Sequence, residues 1–331
     1  MALPLGNVSL EATLSPRLEQ IEERLRDAVA QSDRLADATS RHLVDAGGKR
    51  LRPMLVLLTA QLGDGLRPEV IDAAVVVELT HLATLYHDDV MDSAPTRRGA
   101  PAAHEVWGNS VAILTGDLLF ARASAVVAGL GPAAVRIQAA TFERLCLGQL
   151  HETVGPHEGE DAVDHYLQVL ADKTGSLIGT SARFGAMFAG CDRGVVEQVT
   201  RYGELAGVAF QIADDVLDIQ SSGDVSGKTP GTDLREAVPT MPVLLLRQRM
   251  ARAGATTEDA ALLAAIDGDL SDDAVLADVV DRLRTHPVLE ETAALARQSA
   301  DKAVAAIDSL PESEVKDALI AFAEALVVRT A

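Results

Sequence analysis

Apolar residues recur at intervals of three and four positions along most of the chain, the spacing that places them on one face of an α-helix. Ala and Leu are abundant, and the alternating runs typical of half-buried strands are scarce. The pattern predicts helices over residues 15–45, 52–63, 68–92, 109–129, 132–153, 160–172, 176–190, 193–220, 239–253, 257–265, 271–284 and 286–330, with a break near Pro311. No linker rich in Pro, Gly or Ser divides the sequence. We therefore expect a single all-α domain over residues 1–331.

The composition narrows the class of protein. Of the 331 residues, 48% are hydrophobic and 24% charged, as in ordinary globular proteins, and the formal net charge of −20 argues against nucleic acid as a partner. The sequence has no positively charged N-terminal stretch followed by an apolar one, and no uncharged apolar run long enough to span a membrane. Two cysteines, Cys146 and Cys191, lack metal-ligand spacing. We expect a cytoplasmic protein without stable membrane insertion.

Two acidic motifs of the form DDxxD stand at the ends of long apolar runs, at residues 88–92 and 214–218. On a helix, residues four apart share a face, so each motif stacks its first and last carboxylates. Like charges in this arrangement repel unless cations neutralise them, and Mg²⁺ is typically held by one or two carboxylates together with substrate phosphates. The motifs therefore predict magnesium sites.

Two polar residues lie on the same helical stripes as these motifs, and a third acidic cluster resembles the motifs in composition. His81 lies two turns before the first motif on nearly the same stripe, and Gln211 lies one turn before the second. A third acidic cluster contains Asp272, Asp273 and Asp278 and follows Ser271. This cluster is typical of a capped helix N-terminus, so we assign it no catalytic role.

Cationic residues cluster beside glycine or threonine in four segments: GGKRLRP at 47–53, TRRG at 96–99, DKTG at 172–175 and GKT at 227–229. Lysine, arginine and helix N-termini all suit phosphate oxygens. Together with the acidic motifs, the segments indicate two anionic sites, one bridged by metals and one lined by cations. No P-loop, GxGxxG or GxSxG motif is present, and no nucleophile stands beside a base.

Several motifs in order along the chain resemble those of the trans-isoprenyl diphosphate synthases, also called polyprenyl synthetases: GGKRLRP, LYHDDVMD, TRRGAPAAH, GDLLFARA, GQLHE, DKTG, FQIADDVLD and GKTPGTDLREAVPTMP. The resemblance implies an all-α helical bundle around a central cavity (the isoprenoid synthase type), usually a homodimer. The implied reaction is the condensation of isopentenyl diphosphate with an allylic diphosphate.

The resemblance also implies roles for individual residues. The Mg²⁺ ligands would be Asp88, Asp89, Asp92, Asp214 and Asp218, with Asp215, Lys173 and Lys228 completing the catalytic set. Arg97, Lys173 and Lys228 would contact the allylic diphosphate, with Thr174 and Gln211 lining that site, and Lys49, Arg52, His81 and Arg98 would hold isopentenyl diphosphate. The chain departs from many relatives at Val238, where they carry a lysine.

Product length in this family depends on the floor of the cavity. Thr84 and Ala83 are the fourth and fifth residues before the first motif, and Thr80 lies one turn deeper. Because these side chains are small, we expect an open tunnel and a medium- or long-chain product of about 30 to 50 carbons, suited to a quinone side chain.

Three alternatives differ in what they require of the sequence. A short-chain synthase, making farnesyl or geranylgeranyl diphosphate, often places aromatic residues at the cavity floor. A class I terpene cyclase shares the all-α fold and one DDxxD motif, but its second metal motif is usually of Asn/Ser/Glu type. A regulatory prenyltransferase subunit generally lacks both motifs, and both are intact here.

Overall fold

The computed structural model describes residues 8–220, 230–252 and 254–328, and it confirms the all-α fold class. In chain order, the helices of these ranges are α1 (Val8–Val29), α2 (Arg34–Asp45), α3 (Leu51–Ala60), α4 (Glu69–Met91), α5 (Ala103–Trp107), α6 (Asn109–Gly129), α7 (Pro132–Val154), α8 (Ala162–Leu170), α9 (Ser176–Phe188), α10 (Arg193–Gln220), α11 (Thr232–Arg235), α12 (Met241–Met250), α13 (Thr257–Ile266), α14 (Asp273–Arg284), α15 (Pro287–Ala305) and α16 (Glu314–Val327). A π-helical turn, Ala171–Gly175, joins α8 to α9.

A two-stranded hairpin, which the apolar pattern does not predict, follows α4. Strand β1 (Thr96–Arg97) pairs antiparallel with β2 (Ala100–Pro101). The two residues between them, Arg98 and Gly99, have φ angles of 56° and 78°. Positive φ at both central positions is what a tight hairpin turn of the I′ type requires. The hairpin therefore reverses the direction of the chain shortly after the first acidic motif.

The predicted helix over 15–45 is two helices, α1 and α2. The break is made by Asp33, whose Oδ1 accepts hydrogen bonds from the backbone N–H groups of Leu35 (3.0 Å) and Ala36 (2.9 Å). Such a cap satisfies donors that the first turn of a helix leaves unpaired. The apolar spacing alone does not mark this break, whereas the capping residue does. The break expected near Pro311 is confirmed, since α15 ends before it and α16 begins after it.

The chain forms two compact units that interleave in sequence. Unit 1 contains Met1–Leu145, Ser176–Glu204 and Ala306–Phe322, and unit 2 contains Cys146–Gly175, Leu205–Ala305 and Ala323–Ala331. Helices α7, α10 and α16 each begin in one unit and end in the other. The single domain over 1–331 stays a prediction.

Each unit has its own apolar core. In unit 1, α4 packs against α1, α3, α6 and α9, and the fully buried side chains include Leu57, Leu79, Leu82 and Tyr86. In unit 2, residues of α10, α12, α14 and α15 form a buried cluster that includes Val216, Leu246, Val279, Leu283 and Val288. Burial of such aliphatic and aromatic side chains is the main stabilising contribution to folding. The two acidic motifs lie on α4 in unit 1 and on α10 in unit 2.

Two helices, α4 and α6, are long and apolar enough to span a membrane by length and composition. In α4, 67% of the most apolar stretch is buried within the fold, which is typical of a core helix in a globular protein. The corresponding share in α6 is 39%, and Ile113 and Leu114 are exposed. The absence of stable membrane insertion therefore stays a prediction.

Candidate active site

The first acidic motif occupies the C-terminal turn of α4. The backbone N–H of Asp92 donates to the carbonyl of Asp88 over 2.8 Å, which shows that the helical register continues through the motif. Asp88 is half-buried and Asp92 is exposed, whereas Asp89 is fully buried. The two carboxylates that the spacing predicts on one face are therefore the two that are accessible.

Asp89, the middle carboxylate of this motif, is bound to the hairpin. Nε and Nη2 of Arg97 each lie 2.6 Å from Asp89 Oδ1. Burial raises the pKa of Asp89, while the Arg97 guanidinium beside it acts in the opposite direction. The pair fixes β1 against the end of α4. The part of Asp89 as a metal ligand stays a prediction, since in this structure its carboxylate faces Arg97.

A second group of unit 1 residues lies around His81, two turns before Asp88 on α4. Burial, together with the charges of Arg52 and Arg98, lowers the pKa of His81 well below its usual range, so the imidazole is neutral. Burial also lowers the pKa of Arg52 to about 10, with Arg98 contributing, and Arg52 remains a cation at neutral pH. In the described part of the chain, Arg52 Nε is buried without a hydrogen-bond partner. Buried positive charge of this kind suits an anion.

The loop before α3 brings the first two cationic segments together. Arg98 Nη1 donates to the carbonyl of Leu43 over 3.0 Å and to the carbonyl of Gly47. A side chain at Gly48, where φ is 144°, would place its Cβ 2.8 Å from Arg98 Cζ, so the backbone favours glycine and a larger residue would displace the guanidinium. Lys49 follows in the same loop and is exposed. The substrate-binding residues predicted in unit 1 thus share one part of that unit.

The second acidic motif, like the first, has two accessible carboxylates and one buried carboxylate. Gln211, Asp214 and Asp218 lie on one face of α10 and are half-buried. Asp215 is buried, and its Oδ2 accepts hydrogen bonds from the hydroxyl of Tyr166 (2.9 Å) and the backbone N–H of Met241 (3.1 Å). Burial raises the pKa of Asp215 well above its usual range, although both hydrogen bonds oppose this shift. In both motifs the second aspartate is the buried, hydrogen-bonded one.

The predicted residues Lys173 and Thr174 lie in the π-helical turn. Lys173 Nζ is 2.5 Å from Glu152 Oε2, and Thr174 Oγ1 donates to Gln211 Oε1 over 3.3 Å. π-helical turns occur frequently at functional sites because the widened turn redirects side chains. Thr174 and Gln211, both predicted to line the allylic site, are therefore brought together in unit 2.

Two residues of α7 support the π-helical turn. Gly148 permits close packing, since a Cβ there would lie 2.7 Å from the backbone nitrogen of Lys173. Glu152, one turn further on, is the partner of Lys173. Both belong to the segment GQLHE, yet their roles depend on a contact that sequence spacing does not reveal.

Two sequence-based expectations concern the loop region after α10. Lys228 lies outside the described residues. Val238 is half-buried between α11 and α12, and its backbone N–H donates to the carbonyl of Asp233 over 2.9 Å. An apolar side chain at this position supplies no charge to a phosphate.

The three predicted chain-length residues differ in exposure. Thr80 is 1% exposed and its Oγ1 donates to the Val76 carbonyl over 2.8 Å, and Ala83 is fully buried, with its carbonyl close to Gly116 of α6. Thr84 is half-buried and lies on the same stripe of α4 as His81 and Asp88. Of the three, Thr84 therefore has surface available to contact a substrate.

The acidic motifs suit a metal shared with a substrate better than a metal held by protein alone. Among the described residues, no group of three His, Cys, Asp or Glu side chains could hold an ion. Each motif instead presents two carboxylates one turn apart. This donor set fits Mg²⁺, which keeps several waters and takes its remaining ligands from substrate phosphates.

Sequence comparison relates nearly the whole chain to known proteins. The Polyprenyl synthetase family profile matches residues 33–283. A nonaprenyl diphosphate synthase of Mycobacterium tuberculosis is 43% identical over 328 residues, which cover 98% of this chain and 96% of that protein.

Solved structures agree with the sequence comparison. A polyprenyl synthase from Caulobacter crescentus CB15, complexed with calcium and isoprenyl diphosphate, superposes with a TM-score of 0.88 at 31% identity, covering 97% of both chains. A geranylgeranyl pyrophosphate synthase from Corynebacterium glutamicum, also complexed with calcium and isoprenyl diphosphate, gives 0.86 at 41% identity over 98% of both chains. With sequence and fold alike over almost its full length, this chain belongs to the polyprenyl synthetase family.

Proposed function

We propose that this protein is an all-trans polyprenyl diphosphate synthase that condenses isopentenyl diphosphate with an allylic diphosphate and extends the chain to about 30 to 50 carbons. The observation that carries the proposal is the accessible pair of carboxylates, Asp88 and Asp92, at the C-terminal end of α4. The same helix carries His81 two turns earlier, and the cations Arg52 and Arg98 from other segments lie around it. The nonaprenyl diphosphate synthase relative supports a long product.

The residues divide between the two diphosphates. Asp88, Asp92, Asp214 and Asp218 would hold Mg²⁺ with the allylic diphosphate. Two related structures are complexes with calcium and isoprenyl diphosphate, which supports a role for a divalent cation. Arg97, Lys173 and Lys228 would contact that diphosphate, with Thr174 and Gln211 beside it. Lys49, Arg52, His81 and Arg98 would bind isopentenyl diphosphate.

The chemistry is the departure of a diphosphate followed by formation of a carbon–carbon bond. The allylic C–O bond breaks with its electron pair going to diphosphate, the double bond of isopentenyl diphosphate attacks the allylic carbon, and a proton is lost. Bound Mg²⁺ would supply neutralising charge to the leaving diphosphate. Lys173 and Arg97 would add fixed positive charge to the same group. The released diphosphate is the proposed proton acceptor.

Product analysis tests the function directly. Purified protein receives labelled isopentenyl diphosphate and geranyl, farnesyl or geranylgeranyl diphosphate in separate reactions, with Mg²⁺ or with a chelator. We expect products of about 30 to 50 carbons by mass spectrometry with Mg²⁺ and none with the chelator. A stop at 15 or 20 carbons would retain the reaction and reject the chain length. No consumption of isopentenyl diphosphate would indicate a missing partner or a cyclase.

We further propose that the protein is a cytoplasmic homodimer. Helix α6 carries the exposed apolar side chains Ile113 and Leu114, and an exposed apolar face of this kind commonly marks a protein interface. Sedimentation equilibrium should give twice the chain mass of 34.8 kDa, and Leu114→Glu should give the single-chain mass. A wild-type protein that sediments as a monomer would refute the dimer.

A further inference from the structure

A buried carboxylate that the predicted site does not include, Glu78 on α4, joins two of the cationic segments. Glu78 is 1% exposed. Its Oε1 lies 2.7 Å from Arg50 Nη1 and 3.6 Å from Arg98 Nη2. Arg50 comes from the loop before α3, whereas Arg98 comes from the turn of the hairpin. One carboxylate oxygen therefore faces two arginines from separate segments of unit 1.

Arg50 is itself held on several sides. Its side chain is 3% exposed, with Nε 2.5 Å from Glu22 Oε1 of α1 and Nη2 3.0 Å from the carbonyl of Val44. Its backbone is left-handed, with φ of 47°, immediately before α3 begins. A non-glycine residue keeps this conformation when surrounding contacts hold it there. The side-chain contacts of Arg50 thus determine the path of the loop.

The path of the loop before α3 determines the positions of the neighbouring cations. Lys49 precedes Arg50 in the chain and Arg52 follows two residues later, at the start of α3. From the other side, Arg98 binds the carbonyl of Gly47. Displacement of Arg50 or Arg98 would therefore move Lys49 and Arg52 together.

The group contains charges of both signs. Arg50 and Arg98 face the carboxylates of Glu22 and Glu78, and the charge of Arg52 interacts with those of Glu78 and Asp88. Without Glu78, Arg50 and Arg98 would repel each other in a buried setting, where such repulsion is poorly screened. With it, both arginines have the same carboxylate as a partner, so the two segments can stay close together.

We propose that Glu78, acting through Arg50 and Arg98, is a positioning residue for the isopentenyl diphosphate site. It holds the two cationic segments in the arrangement that receives the diphosphate. The inference rests on the proposed function, because it assigns Glu78 to the site that Lys49, Arg52, His81 and Arg98 form in that proposal.

The test is Glu78→Gln, which keeps the size of the side chain and removes its charge. We expect the KM for isopentenyl diphosphate to rise about tenfold, because Arg98 leaves its place, while the KM for the allylic diphosphate changes less than about twofold. Isothermal titration of isopentenyl diphosphate alone should show a matching loss of affinity. If Glu78 only lowered the local positive charge, its removal would tighten binding, so the sign of the change separates the two roles.

Three further variants distinguish positioning from general stability. Arg50→Lys keeps the charge but cannot reach Glu22, Glu78 and Val44 together, so its KM should rise as in Glu78→Gln. Glu78→Asp keeps the carboxylate and should recover part of the affinity. Asp259→Asn, in unit 2, removes another buried carboxylate, one bound to His286. This last variant should lose thermal stability and leave both KM values unchanged.

The outcomes separate the inference from the proposed function. If the wild type binds and consumes isopentenyl diphosphate, and folded Glu78→Gln and Arg50→Lys match it, the positioning inference is wrong and the function stands. Equal rises in both KM values would also reject the inference, because they indicate general disturbance of the fold. If the wild type neither binds nor consumes isopentenyl diphosphate, the proposed function fails and the inference falls with it.

Discussion

Asp88→Ala and Asp214→Ala are each expected to lower turnover by about three orders of magnitude or more while the protein stays folded. The cause lies in the paired carboxylates. Removing Asp88 leaves Asp92 as the one accessible carboxylate of the first motif, and removing Asp214 leaves Asp218 as the one accessible carboxylate of the second. A single carboxylate cannot match a pair in holding a divalent cation against a diphosphate. The measurement is kcat with saturating Mg²⁺ and both substrates, for purified variants.

Stability should move differently from activity in the Asp88 variant. Asp88 is half-buried in the last turn of α4, where a negative charge opposes the helix dipole and repels its neighbour Asp92, while Arg52 attracts it. Because these contributions have opposite signs, thermal unfolding of Asp88→Ala without Mg²⁺ should occur close to the wild-type temperature. A large loss of turnover with little loss of stability is what a functional carboxylate gives.

A matched control comes from the third acidic cluster. Asp278 is exposed on α14, and its Oδ2 lies 3.8 Å from Arg282 Nη1. Asp278→Ala removes the same chemical group from another acidic cluster and should keep wild-type turnover. Turnover close to wild type in either Asp88→Ala or Asp214→Ala would show that the metal sites are wrongly assigned.

Thr84→Phe is expected to shorten the product from about 30 to 50 carbons to about 15 to 20. Thr84 is half-buried one turn before Asp88, about 6 Å along the helix axis, and on the same stripe of α4. A growing chain that begins at the metal-bound diphosphate would meet a phenyl ring there after a few isoprene units. Mass spectrometry of the products from farnesyl diphosphate gives the answer.

The control variants distinguish the effect of side-chain volume at position 84 from the effect of losing the hydroxyl group. Thr84→Val keeps the volume and removes the hydroxyl, whose hydrogen bond goes to the carbonyl of His81, and should leave the product unchanged. Ala83→Phe is the matching variant at the neighbouring small residue that the sequence places at the cavity floor. Since Ala83 is fully buried, with its carbonyl near Gly116, added volume there should mainly destabilise the fold. An active Thr84→Phe enzyme with unchanged products would contradict the assignment of Thr84.

Local features of the chain were predictable because they depend on neighbours in sequence. The helix predicted over 109–129 is α6 and the one over 193–220 is α10, since apolar spacing reports directly on which face a helix buries. The same spacing places Asp88 with Asp92 and Asp214 with Asp218. Tyr86, which helical phase places away from the Asp88 stripe, is a fully buried core residue whose hydroxyl donates to the Thr39 carbonyl.

Interactions between distant segments were not predictable from spacing. Tyr166 reaches Asp215 across 49 positions, and Arg50 reaches Glu78 across 28. Arginine and glutamate occur at many other places in the sequence, and nothing local distinguishes the residues that become partners. The hairpin of 96–101 was missed for a related reason, because its strands have two residues each and carry no alternating pattern.

The sequence by itself determined the all-α class, the carboxylate pairs, the cationic segments and, through the order of its motifs, the polyprenyl synthetase family. Each of these depends on residue types at short, fixed spacing, which helical geometry converts directly into position. Tertiary structure alone decided that Asp89 and Asp215 are buried anchors, that Thr84 has the available surface and that Glu78 joins Arg50 to Arg98. Burial and charge pairing depend on which segments pack together, and only the folded chain brings those segments into contact.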